Sequence, residues 1–234
     1  MIDDTAILQE EPSFLVLNKP TGLLSQSTYG VDSVVFQLRA WLKAREGSER
    51  EPFAELPHRL DRGTSGILLV AKTKAALACF SEQFHSRKTD KSYLVAVQGV
   101  PNSPYGTWTD WMRKVPDVAR AELTSPEAEG SRQAILEYEQ LISDGTTSIH
   151  RVRTLTGRMH QIRLQFASRG MPILGDQAYG CTLPWYTPRS HDHDEHFGLH
   201  ARKLSFRHPK DGKAMHIEAP LPSAWQQQFP NFGQ

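Results

Sequence analysis

The chain has 234 residues, with 27 Lys and Arg against 26 Asp and Glu, which gives a formal net charge of +1. That length fits one domain, and 38% hydrophobic residues with so little net charge exclude wholesale disorder. No apolar run approaches the roughly 20 residues of a membrane-spanning helix, and the amino terminus lacks the features of a secretory signal. Two cysteines without CxxC spacing predict neither a disulfide framework nor a structural zinc site. We therefore expect a single domain over residues 1–234, in the reducing cytoplasm and without membrane contact.

The charge is unevenly distributed along the chain. Residues 58–93 contain seven Lys and Arg against three Asp and Glu, and residues 150–210 contain ten against four. Residues 1–15 contain four acids and no base, and residues 110–139 contain seven acids against four bases. The neutral total argues against a nucleic-acid-binding protein, but the two basic segments indicate either a basic face or a chance difference between exposed faces.

Apolar periodicity in the first half predicts alternating strands and helices. We expect a strand over 14–17, a helix capped by Asp32 or Ser33, a strand over 66–71, a helix capped by Thr73 and a strand over 93–97.

The second half predicts strands over 134–138 and 148–155, a helix over 158–168 and a hairpin that turns at Asp211-Gly212. Residues 101–130 and 181–197, which are rich in Pro, Gly and charge, are interpreted as long excursions. These elements together predict an α+β fold with a mixed, largely antiparallel central sheet and flanking helices.

The segment HRLDRGTSG over residues 58–66 runs directly into the predicted strand over 66–71. Asp61 lies between Arg59 and Arg62, so neighbouring positive charge favours an ionised carboxylate at the end of the sheet. The alternative is a surface turn with a local ion pair.

A second polar segment, TGRMHQIR over residues 156–163, precedes an apolar stripe of Met159, Ile162 and Phe166. Arg163 falls about 60° from the centre of that stripe. A partly desolvated guanidinium needs a carboxylate partner, for which Asp61 is a candidate. The alternative is an arginine that extends to solvent.

Eight short motifs in order resemble the RluA-like pseudouridine synthases over nearly the whole chain. They are NKPTGL (18–23), HRLDRGTSG (58–66), KSY (91–93), GRMHQIR (157–163), GMPILGD (170–176), AYG (178–180), LHA (199–201) and APLP (219–222). Met159 and Gln165 depart from that pattern, where the family usually has a small polar residue and often has His. The S4-like RNA-binding domain of many members is not expected, because the first motif begins at residue 18.

The resemblance implies the pseudouridine synthase fold with a catalytic cleft, and isomerisation of uridine in structured RNA without a metal, ATP or organic cofactor. It implies Asp61 as the essential carboxylate, which either attacks carbon or removes a ribose proton, with Arg163 paired to it and Tyr93 stacked on the extruded uracil. Arg59 would fill the vacated stack. The remaining RNA-contacting residues that we expect are His58, Arg62, Lys19, Arg158, His160 and Gln161. The expected partner is ribosomal or transfer RNA, bound by a monomer whose recognition lies in the two excursions.

Three other readings are open at this level. A metal-dependent hydrolase is suggested by the run of His and acidic residues over 191–196, followed by His200, although the spacing is not that of a preformed site. A serine hydrolase is weaker, because Ser65 does not lie in a GxSxG motif. A non-catalytic RNA-binding or assembly factor on the same fold would have no need of an ionised Asp61 facing RNA phosphates.

Overall fold

A computed structural model of the chain describes residues 2–26, 31–47, 49–185, 196–230 and 232. The strands are β1 (Ile7–Glu11), β2 (Phe14–Lys19), β3 (Ser65–Ala71), β4 (Asp90–Gln98), β5 (Tyr105–Lys114), β6 (Ala121–Leu123), β7 (Arg132–Ser143), β8 (Thr147–Thr154), β9 (Leu199–Arg207) and β10 (Ala214–Glu218). The helices are α1 (Val34–Glu46), α2 (Lys74–His85), α3 (Gln161–Ala167) and α4 (Ser223–Gln228), with 3-10 helices over Asp4–Ala6 and Gln177–Tyr179. Within the described ranges, no helix is long and apolar enough to cross a membrane.

The chain divides into two compact units. The first comprises the described residues of Met1–Asp90 and Ala201–Pro220, and the second comprises those between Lys91 and His200 together with the segment from Leu221 onward. The chain therefore leaves the first unit at the start of β4 and returns to it within β9.

In the first unit the strand order is β1-β2-β3-β9, and β10 pairs with β9. β2 is antiparallel to β1 and to β3, with Phe14 opposite Ala71 and Lys19 opposite Gly66. All seven residues of β3 are buried, as its nearly continuous apolar sequence predicts. The hairpin of β9 and β10 has the predicted apolar face, because Leu204 and Phe206 belong to the core of this unit.

The core of the first unit is centred on three phenylalanines. Phe14, Phe80 and Phe206 pack edge to face, with ring centroids 5.4 to 5.9 Å apart. Phe80 comes from α2, whose predicted cap is confirmed because Thr73 Oγ1 accepts a hydrogen bond from the Ala76 amide at 3.1 Å. Ser33 caps α1 in the same way, so it is the correct one of the two predicted caps.

In the second unit the strand order is β4-β8-β7-β5-β6, and the pairs between neighbours are antiparallel. α3 covers this sheet with Ile162 and Phe166, which are buried in one cluster with Val95, Val97 and Val152. The antiparallel pairs of both units confirm the predicted α+β class with a largely antiparallel sheet.

The segment over 101–130 was predicted to be an excursion, and that prediction is wrong for much of its length. β5 pairs with β7 along Tyr105 to Met112, and β6 extends the sheet beyond β5. Exposure along β5 nearly alternates, so polar and charged side chains occupy the uncovered positions and give the segment a loop-like composition.

α3 is shorter than predicted. It begins at Gln161 and not at residue 158, because His160 has a left-handed backbone with φ of 51°. Gln161 to Phe166 are all buried, so the helix has no exposed polar side over that stretch.

Candidate functional site

Asp61 lies half-buried in the loop that leads into β3. The segment after β2 holds the backbone of this loop. Ser25 Oγ donates to the Leu60 carbonyl at 2.7 Å and accepts from the Leu60 amide at 3.0 Å. Thr21 Oγ1 donates to the Gly63 carbonyl at 2.8 Å, and the Gly22 amide donates to the Arg62 carbonyl at 2.9 Å. Backbone groups on both sides of Asp61 are thus fixed by a segment about 40 residues earlier in the sequence.

Lys19 is the side chain most deeply enclosed at this loop. It is 0% exposed, and its Nζ donates to the carbonyls of Pro20 at 2.7 Å and of Arg62 at 3.1 Å. Burial lowers the pKa of this ammonium to about 7; attraction to Asp61 opposes the shift and repulsion by Arg62 adds to it. Lys19 was expected to contact RNA, and its described hydrogen bonds go to one backbone carbonyl of the segment after β2 and one of the Asp61 loop.

The three other basic residues of this loop have different surroundings. His58 Nε2 accepts a hydrogen bond from the Leu69 amide at 3.0 Å, and its ring stacks on Phe84 with centroids 4.5 Å apart. Arg62 Nε donates to the Gly22 carbonyl at 2.9 Å. Arg59 is exposed. His58 and Arg62 therefore help to hold the loop, and Arg59 is the one of the three with an exposed side chain.

Tyr93 lies in β4 of the second unit, opposite Val152 of β8. It is half-buried and packs against the apolar cluster that contains Val95 and Val97. The strand and the core beneath it therefore determine where the ring is placed.

Arg163 is buried in α3, with 2% exposure. Its Nε donates to Asp176 Oδ2 at 2.7 Å and its Nη2 donates to Asp176 Oδ1 at 2.9 Å. The guanidinium carbon lies 4.9 Å from the ring centroid of Tyr179 and 4.6 Å from that of Phe197. The carboxylate that pairs with Arg163 inside this unit is thus Asp176, and the pair with Asp61 stays a prediction.

The residues before α3 form a hydrogen-bonded turn. Gln161 Oε1 accepts from Thr156 Oγ1 at 2.8 Å and from the Arg158 amide at 3.0 Å, and its Nε2 donates to the Ile135 carbonyl at 3.0 Å. Arg158 Nε donates to a main-chain carbonyl of β7. His160 Nδ1 lies 2.9 Å from the Tyr179 hydroxyl. Gln161 is 4% exposed, so its amide is used to fix this turn.

The metal reading gains no support from the part of the chain that is described. There, no group of three or more His, Cys, Asp or Glu side chains lies close enough to hold a metal ion. Residues 191–195 of the His-rich segment lie outside the described residues.

The sequence reading missed the roles of Asp176, Tyr179 and Ser25. Asp176 and Tyr179 stand in two of the quoted motifs, which was a signal that they matter, but spacing alone does not show that both contact Arg163. Ser25 lies just beyond the first motif, and a single serine carries no local signal for a contact 35 residues away.

The sequence and the fold are similar to those of known proteins. Residues 13–168 match the RNA pseudouridylate synthase family. The chain is 33% identical over 179 residues to ribosomal large subunit pseudouridine synthase D of Borreliella burgdorferi, which covers 75% of this chain and 54% of that protein. It is 33% identical over 235 residues to ribosomal large subunit pseudouridine synthase C of Salmonella typhimurium, which covers 93% of this chain and 67% of that protein. The chain thus spans between half and two thirds of the length of these relatives.

Among solved structures, human RNA pseudouridylate synthase domain containing 4 has the same fold. The two superpose with a TM-score of 0.76 over 97% of this chain and 93% of that chain, at 21% sequence identity.

Proposed function

The chain belongs to the RNA pseudouridylate synthase family, and we propose that it isomerises uridine in RNA to pseudouridine. The observation that carries the proposal is the Asp61 loop: a carboxylate whose flanking backbone is held on both sides by the segment after β2. A catalytic carboxylate needs such fixed placement, because misplacement by about 1 Å costs on the order of 10²-fold in rate.

The reaction needs no oxidant or reductant. The bond between N1 and C1′ breaks, the uracil turns, a bond forms between C5 and C1′, the proton leaves C5 and N1 gains one. Asp61 acts at the ribose, either by attack on carbon or by removal of a proton. The base must be extruded from its stack first, at a cost of a few kcal/mol.

Tyr93 and Arg163 serve that carboxylate and the base. Tyr93 stacks on the extruded uracil, and its placement by the β4 core supports this role. Arg163 pairs with the ionised Asp61. Its pair with Asp176 uses Nε and Nη2, and a guanidinium has five N–H donors, so one side chain can serve two acceptors.

The substrate is ribosomal or transfer RNA, and the protein acts on it as a monomer in the cytoplasm. Exposed Arg59 fills the stack that the base leaves, while Arg62, Arg158 and His160 contact the flanking RNA. Lys19, His58 and Gln161 act indirectly, because their described hydrogen bonds hold the two loops in place. The relatives' names support ribosomal RNA as the first substrate to test.

The decisive experiment compares Asp61→Asn with the wild-type protein on RNA that carries tritium at C5 of uridine. Release of tritium into water reports the loss of the C5 proton. We expect release by the wild-type protein from transcripts of large-subunit ribosomal RNA or from transfer RNA, and none by Asp61→Asn. The matched control is Asp117→Asn, which removes an exposed carboxylate at a positive φ that asparagine tolerates.

Binding of the same RNA separates catalysis from recognition. Asp61→Asn should bind within a few-fold of the wild-type affinity. Turnover by Asp61→Asn would remove that residue from its role, and RNA binding by a wild-type protein that turns over none of these RNAs would favour the non-catalytic binding factor.

Tyr93→Phe tests the two parts of the tyrosine separately. The phenyl ring keeps the stacking surface, so tritium release near the wild-type rate would show that the hydroxyl moves no proton.

A further inference from the structure

The guanidinium of Arg163 contacts one carboxylate and two aromatic rings of the second unit. Asp176 accepts two hydrogen bonds from the guanidinium, and the guanidinium lies over the rings of Tyr179 and Phe197. Both charged side chains are 2% exposed. An exposed arginine side chain populates many rotamers, and these contacts restrict the rotamers that Arg163 can adopt.

We call Asp176, Tyr179 and Phe197 the clamp of Arg163, and two of its members, Asp176 and Tyr179, are themselves anchored. The Asp176 carbonyl accepts hydrogen bonds from the amides of Tyr179 and Cys181, so the backbone of Asp176 is fixed in a turn. The Tyr179 hydroxyl accepts from the Ala121 amide at 2.9 Å and lies 2.9 Å from His160 Nδ1. The positions of the carboxylate and of the ring are therefore set before any substrate binds.

A gain in the stability of the fold does not by itself explain the buried ion pair between Arg163 and Asp176. A buried ion pair loses hydration on both sides, and well-packed apolar side chains of the same volume are often as stabilising. A bidentate pair fixes the plane and direction of a guanidinium, which apolar packing does not.

We propose that Asp176, supported by the rings of Tyr179 and Phe197, is a positioning residue that orients Arg163 for the reaction. This inference rests on the proposed function, because Asp176 has no contact with RNA in it and affects the reaction only through Arg163.

The first test is Asp176→Asn, which keeps the shape of the side chain and removes its charge. The rate of a single turnover at saturating RNA should fall at least tenfold, while the dissociation constant of the RNA changes less than twofold. The matched control is Asp110→Asn, because Asp110 forms an ion pair with Arg169 at 3.0 Å beside a Trp108 ring in the same unit. That variant should keep the single-turnover rate within twofold.

A double-mutant cycle separates positioning from general support of the fold. If Asp176 acts only through Arg163, then Asp176→Asn should have little further effect in an Arg163→Lys background. Multiplication of the two single effects would overturn the proposal, as would a wild-type rate for folded Asp176→Asn.

Two further measurements keep the inference testable if Asp176→Asn folds poorly or if no RNA is turned over. Phe197→Leu removes a ring from beside the guanidinium without leaving a buried charge unpaired, and it should lower the single-turnover rate with unchanged RNA affinity. In ¹⁵N NMR spectra, the Arg163 Nε–H should exchange slowly in the wild-type protein and in Asp110→Asn.

Rapid exchange of that proton in the wild-type protein would contradict the clamp, whatever the activity. A slow signal in a protein that turns over no RNA would contradict the proposed function while leaving the clamp in place.

Discussion

Replacement of Lys19 by methionine removes a buried ammonium and keeps most of the apolar stem. In the folded chain, burial lowers the pKa of Lys19 from 10.5 to about 7. Between these values the unfolded chain binds a proton that the folded chain does not, so raising the pH stabilises the wild-type fold. With a pKa of 7 folded and 10.5 unfolded, that gain amounts to about 2.5 kcal/mol between pH 6 and pH 9. Lys19→Met has no ammonium at this position, so its stability should not show this gain between pH 6 and pH 9.

The assay is urea unfolding of both proteins at several pH values between 6 and 9, with the free energies of unfolding subtracted at each pH. Lys43→Met, which removes an exposed lysine from α1, corrects for the loss of a lysine in general. A difference that does not change with pH would refute the desolvation of Lys19. That outcome would mean that Lys19 stays protonated in both the folded and the unfolded chain throughout this pH range.

Substitutions at three other positions, His150, Gly66 and Thr73, test what stabilises the fold, each with a control. His150 is fully buried, and burial lowers its pKa to about 4. As the pH falls from 6.5 to 4, the unfolded chain takes up this proton before the folded chain does, so the free energy of unfolding in urea should fall by about 3 kcal/mol. His150→Gln should not show this fall, whereas His216→Gln, which removes an exposed histidine, should still show it. Gly66→Ala should cost about 3 kcal/mol or more in the same assay, because φ is +105° and a Cβ would overlap the backbone of β9; Gly212→Ala, at φ of +69° in open space, should cost about 1–2 kcal/mol. Thr73→Ala should lower stability by about 1 kcal/mol and Thr73→Ser should restore it, since serine keeps the capping oxygen.

The parts of the fold that were predictable depend on local signals. The caps at Ser33 and Thr73 and the apolar run of β3 each act within a few residues, so the sequence shows them directly. β5 was missed because an antiparallel strand that is covered on one side carries polar residues at the uncovered positions. The start of α3 was misplaced because a left-handed residue at His160 is set by its surroundings, in which a turn is tied together by Gln161.

The candidate site also has features that local sequence predicts and contacts that it does not predict. The motifs predicted candidate site residues such as Asp61 and Arg163, because the residue types of a short segment are visible in the sequence. The motifs did not show which residues contact each other, because hydrogen bonds such as the one from Lys19 to the Arg62 carbonyl join residues 43 positions apart. The family resemblance implied that Lys19 contacts RNA, whereas its described hydrogen bonds go to backbone carbonyls of the protein.

The interrupted course of the first unit affects the order in which the chain can fold. The segment that holds the Asp61 loop, the loop itself and β3 are all synthesised early. The core beneath them also needs Leu204 and Phe206 from β9, and these follow after β4 to β8 of the second unit. Contacts of such long sequence separation form late. A nascent chain that ends before residue 201 therefore exposes the apolar residues of β2, β3 and α2 that pack against Leu204 and Phe206 in the folded unit.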